Sequence, residues 1–279
     1  MDPFSIKGLR PALASARESG SQGAINIIIH MLYIAPRGPP PCPERRAGPR
    51  FRPVARQTTL LGALARGVLR AGFTLTGLFA GLVALYAFVD PVSTLMLART
   101  LQGERYERIP VSLEAVAPPA VAAVIASEDA TFCDNDGVDW GALHEVLGNG
   151  EPKRGASTIT MQTAKNLFLW PGRSFLRKGI EIGMALVLGK VWPKRRVMEN
   201  YLNVAEWGDG IFGIEAAARR YFHEPASRLD AREGALLATA LPNPIERNPA
   251  APRLFQRRLA EGVMRRAARL SDRLGCLAQ

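Results

Sequence analysis

The chain has 279 residues, 47% of them hydrophobic, enough for one or two domains with a sizeable core. Its net charge is +11, but residues 1–70 carry +8 of this and residues 71–279 only +3, which argues against a nucleic-acid-binding surface on the folded part. Cys42, Cys133 and Cys276 lack paired spacing and only three histidines exist, so neither a disulfide framework nor a zinc site is expected.

Residues 1–56 are basic and proline-rich, with nine of the 21 prolines before residue 54, and read as a disordered or linker segment. Residues 67–89 follow as a predicted membrane span, built on the 19 uncharged residues 71–89. Arg52, Arg56, Arg66 and Arg70 precede the apolar stretch and Asp90 follows it. The positive-inside rule then puts the N-terminus in the cytoplasm and the remainder outside. A buried core helix and a cleaved signal are the competing readings. Phe88-Val89-Asp90-Pro91 lacks the small residues of a cleavage site, which counts against the second.

Residues 100–250 show helical rather than alternating periodicity, so a mainly α domain is expected. Pro118 and Pro119 suit a helix start, and Val121, Val124, Ile125, Glu128 and Phe132 follow along one face. Ser157 or Thr158 can cap the next helix, Ser174 the one after, and Asp230 with Glu233 makes a capping box. Glycine-rich loops are expected at 148–155 and 207–213. Residues 251–279 are predicted as a basic C-terminal helix, lying on a membrane or packed on the domain.

Glu128 falls on an apolar stripe, where desolvation raises a carboxyl pKa and suits it to proton transfer. Taken alone, the residue is better explained as a helix end paired with an arginine. Asp129 falls off the stripe and is expected to help, or to hold the turn at Asp134–Gly137. Lys165, Arg177 and Lys178 are cations of the kind a departing phosphate needs. The alternative is intrahelical pairing with Glu181, four residues from Arg177 and three from Lys178. Glu181 beside a phosphate site is also a candidate divalent-cation ligand. Tyr201 and Leu202 are expected to pack, leaving Asn203 and Glu206 as polar residues for a sugar.

The order of these clusters is more specific than any one of them. Ser127–Asp139 resembles the pattern Glu-Asp-x-x-Phe-x-x-His-x-Gly, with Asn135 in the His position. Gly155–Leu169 resembles Gly-Gly-Ser-Thr-Ile-Thr-Gln-Gln-x-x-Lys-Asn-Leu, with Ala156 and Met161 as departures. Arg177–Glu181 resembles Arg-Lys-x-x-Glu, and Glu199–Asn203 and Leu241–Pro244 are similar to later motifs. Together they resemble the family 51 peptidoglycan glycosyltransferases over roughly residues 112–250, and of these the monofunctional type.

The resemblance implies a lysozyme-like helical glycosyltransferase domain at 100–250 behind a single transmembrane helix. It implies polymerisation of lipid II with inversion at the anomeric carbon and release of undecaprenyl pyrophosphate. Glu128 would be the general base and Glu181 the second catalytic carboxylate, orienting the cations or a Mg²⁺ or Mn²⁺ ion. Lys165, Arg177 and Lys178 would hold the pyrophosphate, with Asp129, Ser157, Thr158, Gln162 and Asn203 as further substrate contacts. Asn135 is expected to keep a structural hydrogen-bonding role, and Ala156 to matter only if its backbone needs a positive φ. The expected partners are lipid II, the growing glycan, the membrane and cell-wall synthesis proteins, not nucleic acid. The expected location is the bacterial inner membrane, with the catalytic domain on the periplasmic side. A lytic transglycosylase would share the fold without needing the cation cluster. A non-catalytic membrane-anchored scaffold would not need Glu128.

Overall fold

The computed structural model describes residues 55–149, 155–172 and 174–278. The expected proline-rich segment up to residue 54, Cys42 and most of the 148–155 loop lie outside them, while Ala55 and Arg56, expected in that segment, are helical. Helix α1 (Ala55–Tyr86) contains a 25-residue apolar stretch, Gly62–Tyr86, with mean hydropathy 1.7 and only 6% of its window buried. At about 1.5 Å per residue it is long enough to cross a hydrocarbon core of roughly 30 Å.

Helix α2 (Thr94–Leu101) starts at Ser93, whose hydroxyl accepts from Met96 N. Strand β1 (Glu107–Arg108) and a 3₁₀ turn at Leu113–Ala115 lead into α3 (Pro118–Glu128), with its two prolines in the first turn, where no N–H is needed. Then come α4 (Trp140–Asn149), α5 (Ile159–Phe168), α6 (Phe175–Val191) and α7 (Lys194–Val204). Strands β2 (Glu206–Gly208) and β3 (Ile211–Phe212) are followed by α8 (Ile214–Phe222), α9 (Ala231–Ala240) and α10 (Leu254–Leu270). The described residues are mainly helical. A small sheet has the order β1-β3-β2, with β1 parallel and β2 antiparallel to β3.

Helix α3 is the centre of the core. Every residue from Ala120 to Ala126 is buried, and α9 and α10 pack along it. The expected single apolar face is therefore too narrow: alanines that look neutral in a periodicity pattern let neighbouring helices close in from several sides. At Gly234 of α9 an added Cβ would stand 2.6 Å from the Ala120 Cα, so this crossing requires glycine.

The capping expectations are met. Thr158 accepts from Met161 N, Ser174 accepts from Arg177 N, and Asp230 and Glu233 form a complete capping box. Helix α10 buries Gln256, Ala260, Val263 and Ala267 at helical spacing against α3 and α9, so it packs on the domain. One expectation is overturned. Cys133 and Cys276 form a disulfide across 143 residues, joining the segment after α10 to the loop after α3. A separation that long leaves no spacing signal.

Candidate active site

Glu128 is the last residue of α3, half-buried at the rim of a cavity of about 660 Å³. Ser157, Thr158, Gln162, Asp139, Pro242 and Arg266 also line it. One carboxylate oxygen accepts from Gln162 Nε2 at 3.0 Å, the other from Ser127 Oγ at 3.1 Å. Burial pushes the Glu128 pKa up. The hydrogen bonds from Gln162 and Ser127 and the charges of Lys165 and Arg247 pull it partly back. A carboxylate set this way accepts a proton more readily than an exposed one.

Gln162 is itself held in place. The Tyr201 hydroxyl donates to its Oε1 at 3.1 Å, which directs the Nε2 group at Glu128. Tyr201 is 1% exposed, and burial together with the charges of Glu128 and Asp129 holds its pKa well above the ordinary phenol value. It stays a neutral donor. The expectation that Tyr201 packs is correct, but its hydroxyl also orients the site.

Asp129 also lines the cavity, but its carboxylate is engaged within the fold. Its carboxylate accepts from Thr131 Oγ1, Asn135 Nδ2 and the Ile159 backbone N at 3.0–3.1 Å, joining the loop after α3 to the first turn of α5. Burial raises its pKa against the pull of those bonds. Of its two expected roles, that of holding the turn at Asp134–Gly137 is the one its contacts support, through Asn135. Asn135 takes the structural role expected for it, bonding Asp129, the Thr131 carbonyl and Gly137 N. Gly137 has φ 105°, and an added Cβ would meet the Ala185 carbonyl oxygen at 2.5 Å, so loop and α6 touch backbone to backbone.

The cations gather on α5 and α6. Lys178 Nζ donates to Glu181 at 2.6 Å and to Ser157 Oγ at 2.8 Å. Arg177 Nη1 donates to Glu181 at 3.1 Å, while its buried Nε has no partner among the described residues. The Lys165 ammonium makes no side-chain hydrogen bond or ion pair among the described residues, and lies among the charges of Glu181, Arg177, Lys178 and Glu128. Burial and the nearby Arg177 and Lys178 lower its pKa, whereas Glu181 and Glu128 raise it. Lys165 and Arg177 line a separate cavity of about 310 Å³, with Thr94, Asn166, Leu169 and Trp170. Three cations against one carboxylate leave the cluster with excess positive charge.

Three expected site residues lie buried with their polar groups engaged. Thr158 lines the cavity but is 2% exposed, and its hydroxyl is engaged with the Gly137 carbonyl and Met161 N, so it shapes the turn. Asn203 is 1% exposed, with its amide bonded to both backbone groups of Val111 and to the Glu199 carbonyl. Glu181 is 2% exposed and both its oxygens face cations, which would repel a divalent ion. It fits the pairing role and does not fit a resident metal. Among the described residues no group of three or more His, Cys, Asp or Glu is arranged to hold one. Met161 points into the core, and the Ala156 backbone has no positive φ, so both departures are accommodated. Arg266 came from outside the sequence candidates. Its Nε donates to the Ala126 carbonyl at 3.1 Å from 140 residues away, and no local pattern marks that contact.

The Transglycosylase family model matches residues 94–270. The biosynthetic peptidoglycan transglycosylase of Agrobacterium fabrum is 52% identical over 201 residues, covering 70% of this chain and 89% of that protein. That of Brucella suis is 52% identical over 199 residues, with the same coverage. That of Rhizobium meliloti is 48% identical over 213 residues, covering 75% and 88%.

Proposed function

The chain belongs to the transglycosylase family and is a peptidoglycan glycosyltransferase, and from that premise we propose that it polymerises lipid II with Glu128 as general base. The acceptor's sugar 4-hydroxyl gives its proton to the Glu128 carboxylate. The hydroxyl oxygen attacks the anomeric carbon of the growing chain from the face opposite the leaving group, which inverts that carbon. The bond to pyrophosphate breaks, and undecaprenyl pyrophosphate departs with its charge held by Lys165, Arg177 and Lys178. Ser157 and Gln162 line the sugar-binding side.

The observation that carries this reading is the placement of Glu128 and an over-charged cation cluster on either side of α5, which carries both Gln162 and Lys165. Gln162 touches the base, while Lys165 stands beside Arg177, whose buried Nε has no partner among the described residues. An unpartnered buried guanidinium nitrogen is costly unless an anion completes it. Cleavage of glycan has no such anion to stabilise, so the cluster favours synthesis over lysis. A Mg²⁺ or Mn²⁺ ion fits only as a companion of the pyrophosphate itself, not as a ligand of Glu181. The C55 tail keeps the substrate in the bilayer, and α1 keeps the enzyme there, with the catalytic domain on the periplasmic side. Exposed Phe88, Trp170, Phe175 and Leu176 offer apolar surface to the lipid.

Full-length protein given lipid II should yield polymer. Glu128→Gln should slow it by about 10²–10⁴-fold, the usual weight of a general base. Parental rates in Glu128→Gln would remove the base assignment, and shortened glycan in place of polymer would favour the lytic reading.

A further inference from the structure

The end of the membrane helix is fastened to the catalytic domain more firmly than a tether needs. The last four carbonyls of a helix lack intrahelical partners and ordinarily turn to water or a local cap. In α1 the Val83 carbonyl accepts from Trp192 Nε1 at 3.0 Å. The Tyr86 carbonyl accepts from Arg196 Nε at 3.0 Å and Asn200 Nδ2 at 3.2 Å. The Val89 carbonyl, just beyond the helix, accepts from Arg196 Nη2 at 2.8 Å. The remaining nitrogen, Nη1, pairs with Glu199 and lies 3.8 Å from Asp90. Every nitrogen of this one guanidinium is therefore engaged, and its side chain is only 13% exposed.

The fastening continues into the site. Glu199 also accepts from Leu113 N, tying the lock to the turn before α3. The Phe79 and Tyr86 rings pack on Phe168, with centroids at 5.0 and 6.1 Å. Phe168 ends α5, three residues after Lys165. Thr94 Oγ1 donates to the Leu169 carbonyl at 2.6 Å, holding the same end of α5 from α2.

We propose that Arg196 is a positioning residue for the reaction: it locks α1 to α7 and makes the membrane span a rigid strut that sets the height of the Lys165 wall above the bilayer. The proposal rests on the lipid II reading. A lipid-linked pyrophosphate lies at a depth fixed by its own tail, so cations that meet it must be held at that depth. A loosely tethered domain would sample many heights and tilts and lose effective concentration at each. The planar fork of arginine joins two carbonyls and a carboxylate at once, which the single ammonium of lysine cannot reproduce.

The test uses the full-length chain in phosphatidylethanolamine–phosphatidylglycerol vesicles. Parent, Arg196→Ala, Arg196→Lys and the milder Trp192→Phe are compared on C55 lipid II embedded in the vesicles and on a short-chain, water-soluble lipid II analogue. A misplacement of about 1 Å costs on the order of 10²-fold, so Arg196→Ala and Arg196→Lys should lose about tenfold or more in kcat/KM on the embedded substrate. They should stay within about twofold of the parent on the soluble analogue, whose depth is not fixed. Trp192→Phe should show a smaller loss with the same selectivity. Equal losses on both substrates would make Arg196 an ordinary stabilising residue and overturn the strut, as would no loss on either. A parent inert on both substrates would overturn the lipid II reading itself, and the strut with it.

Discussion

Gln162→Leu removes one donor from the base at nearly constant side-chain volume. The lost bond, Nε2 to Glu128 at 3.0 Å, is charge-assisted and contributes about 1.5–3 kcal/mol. It favours the ionised carboxylate, so removing it pushes the Glu128 pKa higher still. A general base works only when ionised, and the acid limb of the pH–rate profile should therefore move to higher pH. Well below that limb the ionised fraction should fall by about ten- to a hundredfold, the equivalent of that energy. The same change strands the buried Tyr201 hydroxyl, costing roughly 1–3 kcal/mol of stability. Tyr201→Phe acts on the base only through Gln162. In the Gln162→Leu background it should leave the pH–rate profile alone and restore much of the lost stability. Lipid II polymerisation from pH 4 to 9, with thermal melts of both single variants and the double variant, completes the cycle. An acid limb in Gln162→Leu that coincides with the parent's would refute the orientation of Glu128 by Gln162. Additive stability losses would refute the role of Tyr201.

Lys165→Ala should weaken transfer by about 10–10²-fold, the scale of losing one cation at a developing charge, with Lys165→Arg recovering part of it. Unchanged kinetics on lipid II would remove Lys165 from the pyrophosphate site. Asn203→Ala should lower the melting temperature, since Val111 N and O lose their partner at about 1–3 kcal/mol, while the KM for lipid II stays put. A raised KM without a stability loss would restore its place among the substrate contacts. Cys276→Ser, or a reductant, should destabilise the chain by up to about 5 kcal/mol, the loop-closure value for 143 residues. Identical melts with and without reductant would show that the bond contributes nothing.

Much of the site was legible because its groups are neighbours in the chain. Arg177, Lys178 and Glu181 meet at helical spacing, and the bonds between them follow from that spacing alone. The apolar run, the caps at Thr158, Ser174 and Asp230, and the prolines that open α3 are likewise local. The side-chain direction of Thr158 was not legible. A capping hydroxyl and a ligand-facing hydroxyl look the same in a sequence, and only the approach of the Gly137 carbonyl decides between them.

The amino-acid sequence by itself determined the kind of chemistry: one desolvated carboxylate, an excess of cations and an apolar helix long enough for a bilayer. Those are properties of residue type and local period, which the chain carries wherever it folds. Tertiary structure alone decided which groups meet across long loops. It joined Cys133 to Cys276, turned Asn203 inward to Val111, and brought Arg196 to the end of the anchor 110 residues away. Such contacts depend on the core around α3, because the packing of helices against one another, not any motif, sets what lies within reach.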